Sequence, residues 1–170
     1  SPTSTFNLTI YNTDIKDYQT QVQSPELGVN RGYLANAEKV RVRGVEVEGN
    51  FKVKRFLSVN ASFAYTDGKY VSFTNAPLPL EETGRSVDGV QVAFKDVSGG
   101  ELPGISKYAG SLGIDLAKSG KLLDKTGNYF FAFDTYYRSK FSSSPSPSQY
   151  LVVDGYALLN ARFGFRVSKG

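Results

Sequence analysis

Hydrophobic and polar residues alternate one for one through most of this chain, and helical periodicity is nearly absent. The clearest stretch covers residues 56–66. Leu57, Val59, Ala61, Phe63 and Tyr65 fall on one face, and Ser58, Asn60, Ser62, Ala64 and Thr66 on the other. Side chains alternate across a β-strand, so the pattern predicts a strand with one apolar and one polar face. Residues 108–117 repeat it with Tyr108, Gly110, Leu112, Ile114 and Leu116 on the apolar side. Residues 129–138 do so with Tyr129, Phe131, Phe133, Thr135 and Tyr137, and residues 158–167 with Leu159, Ala161, Phe163, Phe165 and Val167. Two further strands precede these. Residues 5–18 open on Phe6, Leu8 and Ile10, while Asp14, Lys16 and Asp17 place the far end outside the apolar zone. Residues 39–51 contain Val40 and Val42, then Val45 and Val47, and this change of phase across Gly44 predicts a β-bulge.

The connections alternate in length. Short links fall near residues 49–55 and 118–127. Long links, rich in Pro, Gly, Ser and Asn, fall near 19–38, 67–104 and 139–154. The expected fold is all-β, an antiparallel up-and-down meander of about six strands. Short turns at one end and long loops at the other are the asymmetry of outer-membrane barrels. The twenty apolar-face positions of the four clearest strands carry no charge, although 21% of the chain is charged and about four would be expected by chance. The opposite faces carry Asp115, Asp134, Arg138, Arg162 and Arg166. A charge facing lipid near mid-bilayer costs ~2–4 kcal/mol, so contact with lipid would enforce that absence. Two apolar faces packed on each other in a soluble sandwich give the same alternation. Strands of ~10 residues fit a tilted crossing of the bilayer. Tyr65, Tyr108, Tyr137 and Tyr156, all at strand ends beside the long loops, fit an interfacial row with the rings among headgroups and the hydroxyls wet. Both readings stand on pattern alone.

Composition narrows the chemistry. The 170 residues contain no Cys and no His. Disulfide frameworks, thiol catalysis, the commonest general base and the commonest transition-metal ligand are thereby excluded. A net charge of +4 is spread along the chain, without the clustered stripe of a nucleic-acid binder. No run reaches the ~18 apolar residues of a membrane helix, and the opening residues lack the pattern of a signal peptide. Glu46 and Glu48 sit two apart on one face and read as wall carboxylates able to meet Arg41 and Arg43, or as ordinary solvated charges. Asp134, Arg138, Arg162 and Arg166 are the candidate ligand-contacting residues, on the polar faces of neighbouring strands. No catalytic constellation, metal-ligand cluster or cofactor motif is present. Residues 74–100 form a long loop, and residues 142–149, rich in Ser and Pro, read as a flexible loop tip. Asn7-Leu8-Thr9 and Asn60-Ala61-Ser62 match glycosylation acceptors but fall inside predicted strands.

Several segments resemble TonB-dependent outer-membrane receptors of Gram-negative bacteria. Residues 36–48, with Asn36-Ala37-Glu38 followed by Gly44-Val45-Glu46-Val47-Glu48, are similar to the family's "N-A-x…G-V-E-x-E" strand and are the most specific match. Residues 6–18 and 64–70 resemble ascending barrel strands. Leu102-Pro103-Gly104-Ile105-Ser106-Lys107 resembles the "P-G-x-x-K/R" re-entry, and residues 154–162 the "V-x-x-Y-x-L-x-N-A-R" descending strand. The resemblance runs across residues 1–170 and implies one partial barrel domain, about six strands from the C-terminal half of a 22-stranded barrel. It implies a transport receptor, not an enzyme, importing a scarce small-molecule ligand. The ligand would be a ferric siderophore by default, with oligosaccharide or cobalamin as alternatives. It also implies partners: outer-membrane lipid, the remaining strands, and a plug domain that couples to TonB. The plug and the TonB box are not among these residues. No cofactor, metal or nucleic acid is implied. An isolated piece would expose two strand edges and an apolar face, and self-association is expected. The rival reading is a soluble β-sandwich or lipocalin-like binding module.

Overall fold

The computed structural model describes residues 4–23 and 32–168. Six long strands dominate it: β1 (Thr5–Gln23), β2 (Gly32–Lys54), β3 (Leu57–Ser72), β4 (Tyr108–Leu122), β5 (Lys125–Arg138) and β6 (Tyr156–Val167). They pair in chain order, every neighbour antiparallel, as one six-stranded sheet with β1 and β6 at its edges.

The registers join the separate apolar half-faces into one surface. Directly opposed residues in an antiparallel pair point to the same side. One row crosses all six strands as Leu8, Val47, Phe63, Gly110, Tyr137 and Ala157. The next runs Phe6, Gly49, Ala61, Leu112, Thr135 and Leu159. Neither row holds a charge. Among the described residues no second sheet covers this surface: the remaining sheets are two-residue pairings in loops. Phe163 is 84% exposed and Ile10 73%. A sandwich would have buried these side chains, so the self-contained core of the rival reading is absent.

The apolar surface has two sharp borders. Tyr65 and Tyr108 are direct partners with ring centroids 5.5 Å apart, and one row beyond Tyr65 the same side carries Asn12, Arg43 and Asp67. At the other border Lys118 stands opposite Tyr129, whose ring lies 4.8 Å from that of Phe165. From Tyr137 to Tyr129 at ~3.3 Å per residue and a tilt of ~40°, the aromatic levels are about 20 Å apart, close to the ~25 Å apolar band of an outer-membrane barrel. One expected member of the tyrosine row is misplaced. Tyr156 pairs with Arg138, which puts it on the polar side.

Gly44 is not a bulge. Tyr11, Gly44 and Thr66 stand in one unbroken row. The apolar phase changes because the strand passes between two environments. Val45 and Val47 face the outer apolar surface. Val40 turns to the other side and is fully buried with Tyr70, Phe73, Ala76, Val97 and Leu102 in a small core beyond the band. Tyr70 and Phe73 meet there with ring centroids 5.0 Å apart. The register shifts of the β2–β3 pairing lie elsewhere, between Lys39 and Val40, near Asp17 of β1 with its left-handed φ of 53°, and between Lys52 and Lys54 beside the short turn.

The ends of the meander differ as expected, although one long link is mostly strand. β1 runs on to Gln23 and β2 begins at Gly32, so residues 19–23 and 32–38 of the expected loop are strand, and residues 24–31 lie outside the described residues. The β4–β5 link is the two-residue turn Leu123–Asp124, with φ of 47° and 64°. Two left-handed positions in succession define a type I′ hairpin, which favours Asn-Gly. Replacing Leu123-Asp124 by Asn-Gly should therefore stabilise the hairpin by about 1 kcal/mol, seen as a higher unfolding midpoint.

Candidate functional site

The side opposite the apolar surface is built by the polar phase of the same alternation. Each strand that sends an apolar residue outward must send its neighbour here. The groups satisfy one another across strands. Asn7 Nδ2 donates to Glu48 Oε1 at 2.8 Å, and the Ser62 and Ser111 hydroxyls meet at 2.7 Å. The Tyr11 and Thr66 hydroxyls meet at 2.9 Å, with Gly44 between them in the row.

Two shallow hollows adjoin on this face. One, about 300 Å³, is lined by Thr9, Glu46, Glu48, Ser62, Ser111 and Tyr136. The other, about 250 Å³, shares Ser111 and Tyr136 and adds Asn60, Asp134 and Asn160. Together they form a hydroxyl- and amide-rich shelf with carboxylates at both ends. Such a surface hydrogen-bonds a polar ligand or a polar protein surface. It lacks the acid, base and nucleophile arrangement of a catalytic site. Among the described residues no three His, Cys, Asp or Glu side chains gather as a metal site.

The four predicted site residues share this face but form no single cluster. Arg162 Nη2 lies 3.7 Å from Asp134 Oδ2, an exposed pair. Arg138 is committed elsewhere: Nε donates to Ser106 Oγ at 2.8 Å, Nη2 donates to the Gly104 carbonyl at 2.9 Å, and its guanidinium lies 3.9 Å from the Phe141 ring centroid. It ties the end of β5 to both long loops. Arg166 stands toward the short-turn end, 5.7 Å from the Phe130 ring centroid. Glu46 and Glu48 do not meet Arg41 and Arg43. Arg41 Nε donates to Asp14 at 2.6 Å and Arg43 Nη2 to Asp67 at 3.0 Å, both on the outer side. Thr9, Ser111 and Tyr136 line the shelf without having been singled out from the sequence. Their place in the polar phase was the available signal.

The loops beyond the band dock on each other. Residues 142–149 are not a free tip: Ser146 and Ser148 are buried, and Ser146 Oγ donates to the Pro77 carbonyl at 2.8 Å. The Gln149 amide donates to Glu81 Oε1 at 3.1 Å. A cleft of about 440 Å³ remains between the two loops and β1, lined by Gln21, Leu78, Leu80, Ser143, Pro145 and Leu151. The Glu81 carboxyl is held below its ordinary range by its own backbone amide, the Ser148 hydroxyl and the Gln149 amide. A depressed carboxyl pKa contributes stability above the ordinary carboxylate range, and that contribution is lost as pH falls through the group's own lowered value. Hydrogen-exchange protection at the Gln149 amide should hold through the ordinary carboxylate range and drop as pH falls below it. The Ser139 amide, bonded to the Tyr108 carbonyl at 2.8 Å, should keep its protection.

A family model described as TonB dependent receptor-like, beta-barrel, matches residues 1–170. No curated protein matches the chain.

Proposed function

The chain belongs to the TonB-dependent receptor β-barrel family, a family of outer-membrane transport receptors, and from that premise we propose a finer reading. Its six strands are consecutive staves of a 22-stranded barrel with a plugged lumen. The barrel imports a ferric siderophore using TonB-derived energy that acts on a plug domain outside residues 1–170. The uncharged outer surface, continuous across six strands by register, carries this reading because it matches the lipid-facing wall of such a barrel. The polar shelf then lines the lumen, and the edges of β1 and β6 take neighbouring strands. Asp134 and Arg162 offer the ligand or the plug one acid and one base side by side.

The test is uptake in cells that depend on this receptor. Uptake of a labelled ferric siderophore should cease when TonB is deleted. The Asp134→Asn/Arg162→Gln receptor should reach the membrane in normal amount yet transport about threefold to tenfold more slowly. Siderophore uptake that persists without TonB contradicts the energy source. A receptor that binds cobalamin or an oligosaccharide and leaves ferric siderophore unbound contradicts the cargo.

A further inference from the structure

The outer side of the sheet does not simply become polar beyond the tyrosine level. It becomes cationic. The first row above Tyr65 holds Asn12, Arg43 and Asp67, the second Asp14, Arg41 and Lys69, and the third Lys16 and Lys39. Two acids, Asp14 and Asp67, are each shared by two cations, and a third, Glu101, stands opposite Lys69 and pairs with Lys107 at 3.2 Å. Asp14 lies 2.6 Å from Arg41 and 3.0 Å from Lys39, and Asp67 lies 3.0 Å from Arg43 and 3.3 Å from Lys69. Asp67 is almost fully buried, with 6% of its side chain exposed, while Arg43 is 57% and Lys69 43% exposed above it. Around Asp67 the layer that meets the surroundings is therefore positive with the negative charge beneath it, whereas Asp14 lies level with Arg41 and Lys39.

Two details point to an anion as the missing partner. Lys16 stands directly opposite Lys39, and like charges placed opposite each other are destabilising; Asp14 meets Lys39 at 3.0 Å but is shared with Arg41, so its single charge is outnumbered by the three cations around it. A shallow hollow of about 170 Å³ lies between Arg41, Arg43, Asp67 and Lys69. Arginine supplies the planar donor fork that suits phosphate oxygens, and lysine a point charge. The level of the patch selects the source of that anion. Successive rows are about 7 Å apart along the strands, so the cations begin within one row of the tyrosines that sit among headgroups. They also face outward, where lipid lies, and not toward the shelf.

We propose that Lys16, Lys39, Arg41, Arg43 and Lys69 bind a phosphate-bearing lipid headgroup of the leaflet on the long-loop side. The site anchors the tall β1–β2 hairpin to the membrane surface. It rests on the lipid-facing reading of the outer surface given above.

The full receptor in detergent micelles is titrated with phosphatidic acid, and the bound lipid is counted by native mass spectrometry. Wild type should hold phosphatidic acid at least about tenfold more tightly than the uncharged diacylglycerol. The Lys16→Gln/Lys39→Gln/Lys69→Gln variant should bind it about tenfold or more weakly, and Lys69→Gln alone about fivefold, which covers the case of a triple variant that does not fold. Lys121→Gln/Lys125→Gln, at the short-turn end, should bind as wild type does. Inorganic phosphate at equal concentration should not displace the lipid. Binding by the Lys69→Gln variant within about twofold of wild type overturns the proposal. So does an equal loss in the short-turn control, or displacement by free phosphate, which would mark an anion site with no lipid preference. Nitroxides at Phe131 and Leu159 separate this failure from that of the membrane reading. If they still collide with lipid while the charge variants bind normally, only the headgroup site fails; if they do not, the membrane placement itself fails.

Discussion

Arginine in place of Leu112 should cost the receptor about 2–4 kcal/mol of stability in a bilayer, while arginine in place of Ser111 should cost less than about 1 kcal/mol. The two residues are adjacent in the chain and project to opposite sides of β4. Leu112 lies between Ala61 and Thr135 near the middle of the uncharged surface. A guanidinium there must be dragged to a headgroup level or leave a charge in hydrocarbon. Ser111 shares only an exposed hydroxyl pair with Ser62, and an arginine on that shelf meets water and the acids around it. Reversible unfolding of both variants in lipid vesicles, followed by far-UV circular dichroism against urea, measures the difference. Equal costs would mean that the two sides of the sheet see the same medium.

Gly44→Val should be the most damaging single change on the polar side, at about 2–3 kcal/mol. A Cβ at Gly44 would collide with the Tyr65 carbonyl oxygen and fall 2.6 Å from the Tyr11 hydroxyl. The hydroxyl reaches across the glycine to Thr66, so a side chain displaces the ring as well as severing the hydrogen bond. Tyr11→Phe, which removes the bond and keeps the ring, should cost only about 1 kcal/mol. A Gly44→Val unfolding curve indistinguishable from that of Tyr11→Phe would remove the steric part of this account.

These two positions also show which parts of the fold the sequence could reveal. Alternation through residues 57–65 and 108–116 sets strand identity and face together, because a one-residue slip would send every apolar side chain to the wrong side. The meander and its short turns followed from that, as did the exit of Asp14 from the apolar zone. Gly44 misled because a change of apolar phase has two causes: an extra residue in one strand, or a straight strand crossing from lipid contact into a loop-covered core. Only the partners of Val40, residues such as Phe73 and Val97 far along the chain, distinguish them. The same non-local dependence hid the docking of Ser146 onto Pro77 and the commitment of Arg138 to Ser106 and Gly104. Polar composition reads as a free loop until the surface that receives it is known. Residues 19–38 were obscured differently, because a hairpin standing beyond the band need not be apolar on its outer side. Of the candidate ligand residues, Asp134 and Arg162 come together because β5 and β6 are neighbours. Nothing local forecast the outward patch of Lys16, Arg43 and Lys69, which is assembled from three successive rows on three strands by register.

The most direct test of the whole account is a nitroxide scan of β5 from residue 131 to residue 136 in the receptor reconstituted in lipid, with collision rates measured for oxygen and for a water-soluble nickel complex. Oxygen should dominate at Phe131, Phe133 and Thr135, and the account requires strict alternation, with the nickel complex or protein contact dominating at Ala132, Asp134 and Tyr136. Labels at Phe131 and Phe133 shielded from both reagents, or open to the nickel complex, would contradict it, because that surface would then be a protein core or a wetted face instead of the wall against lipid.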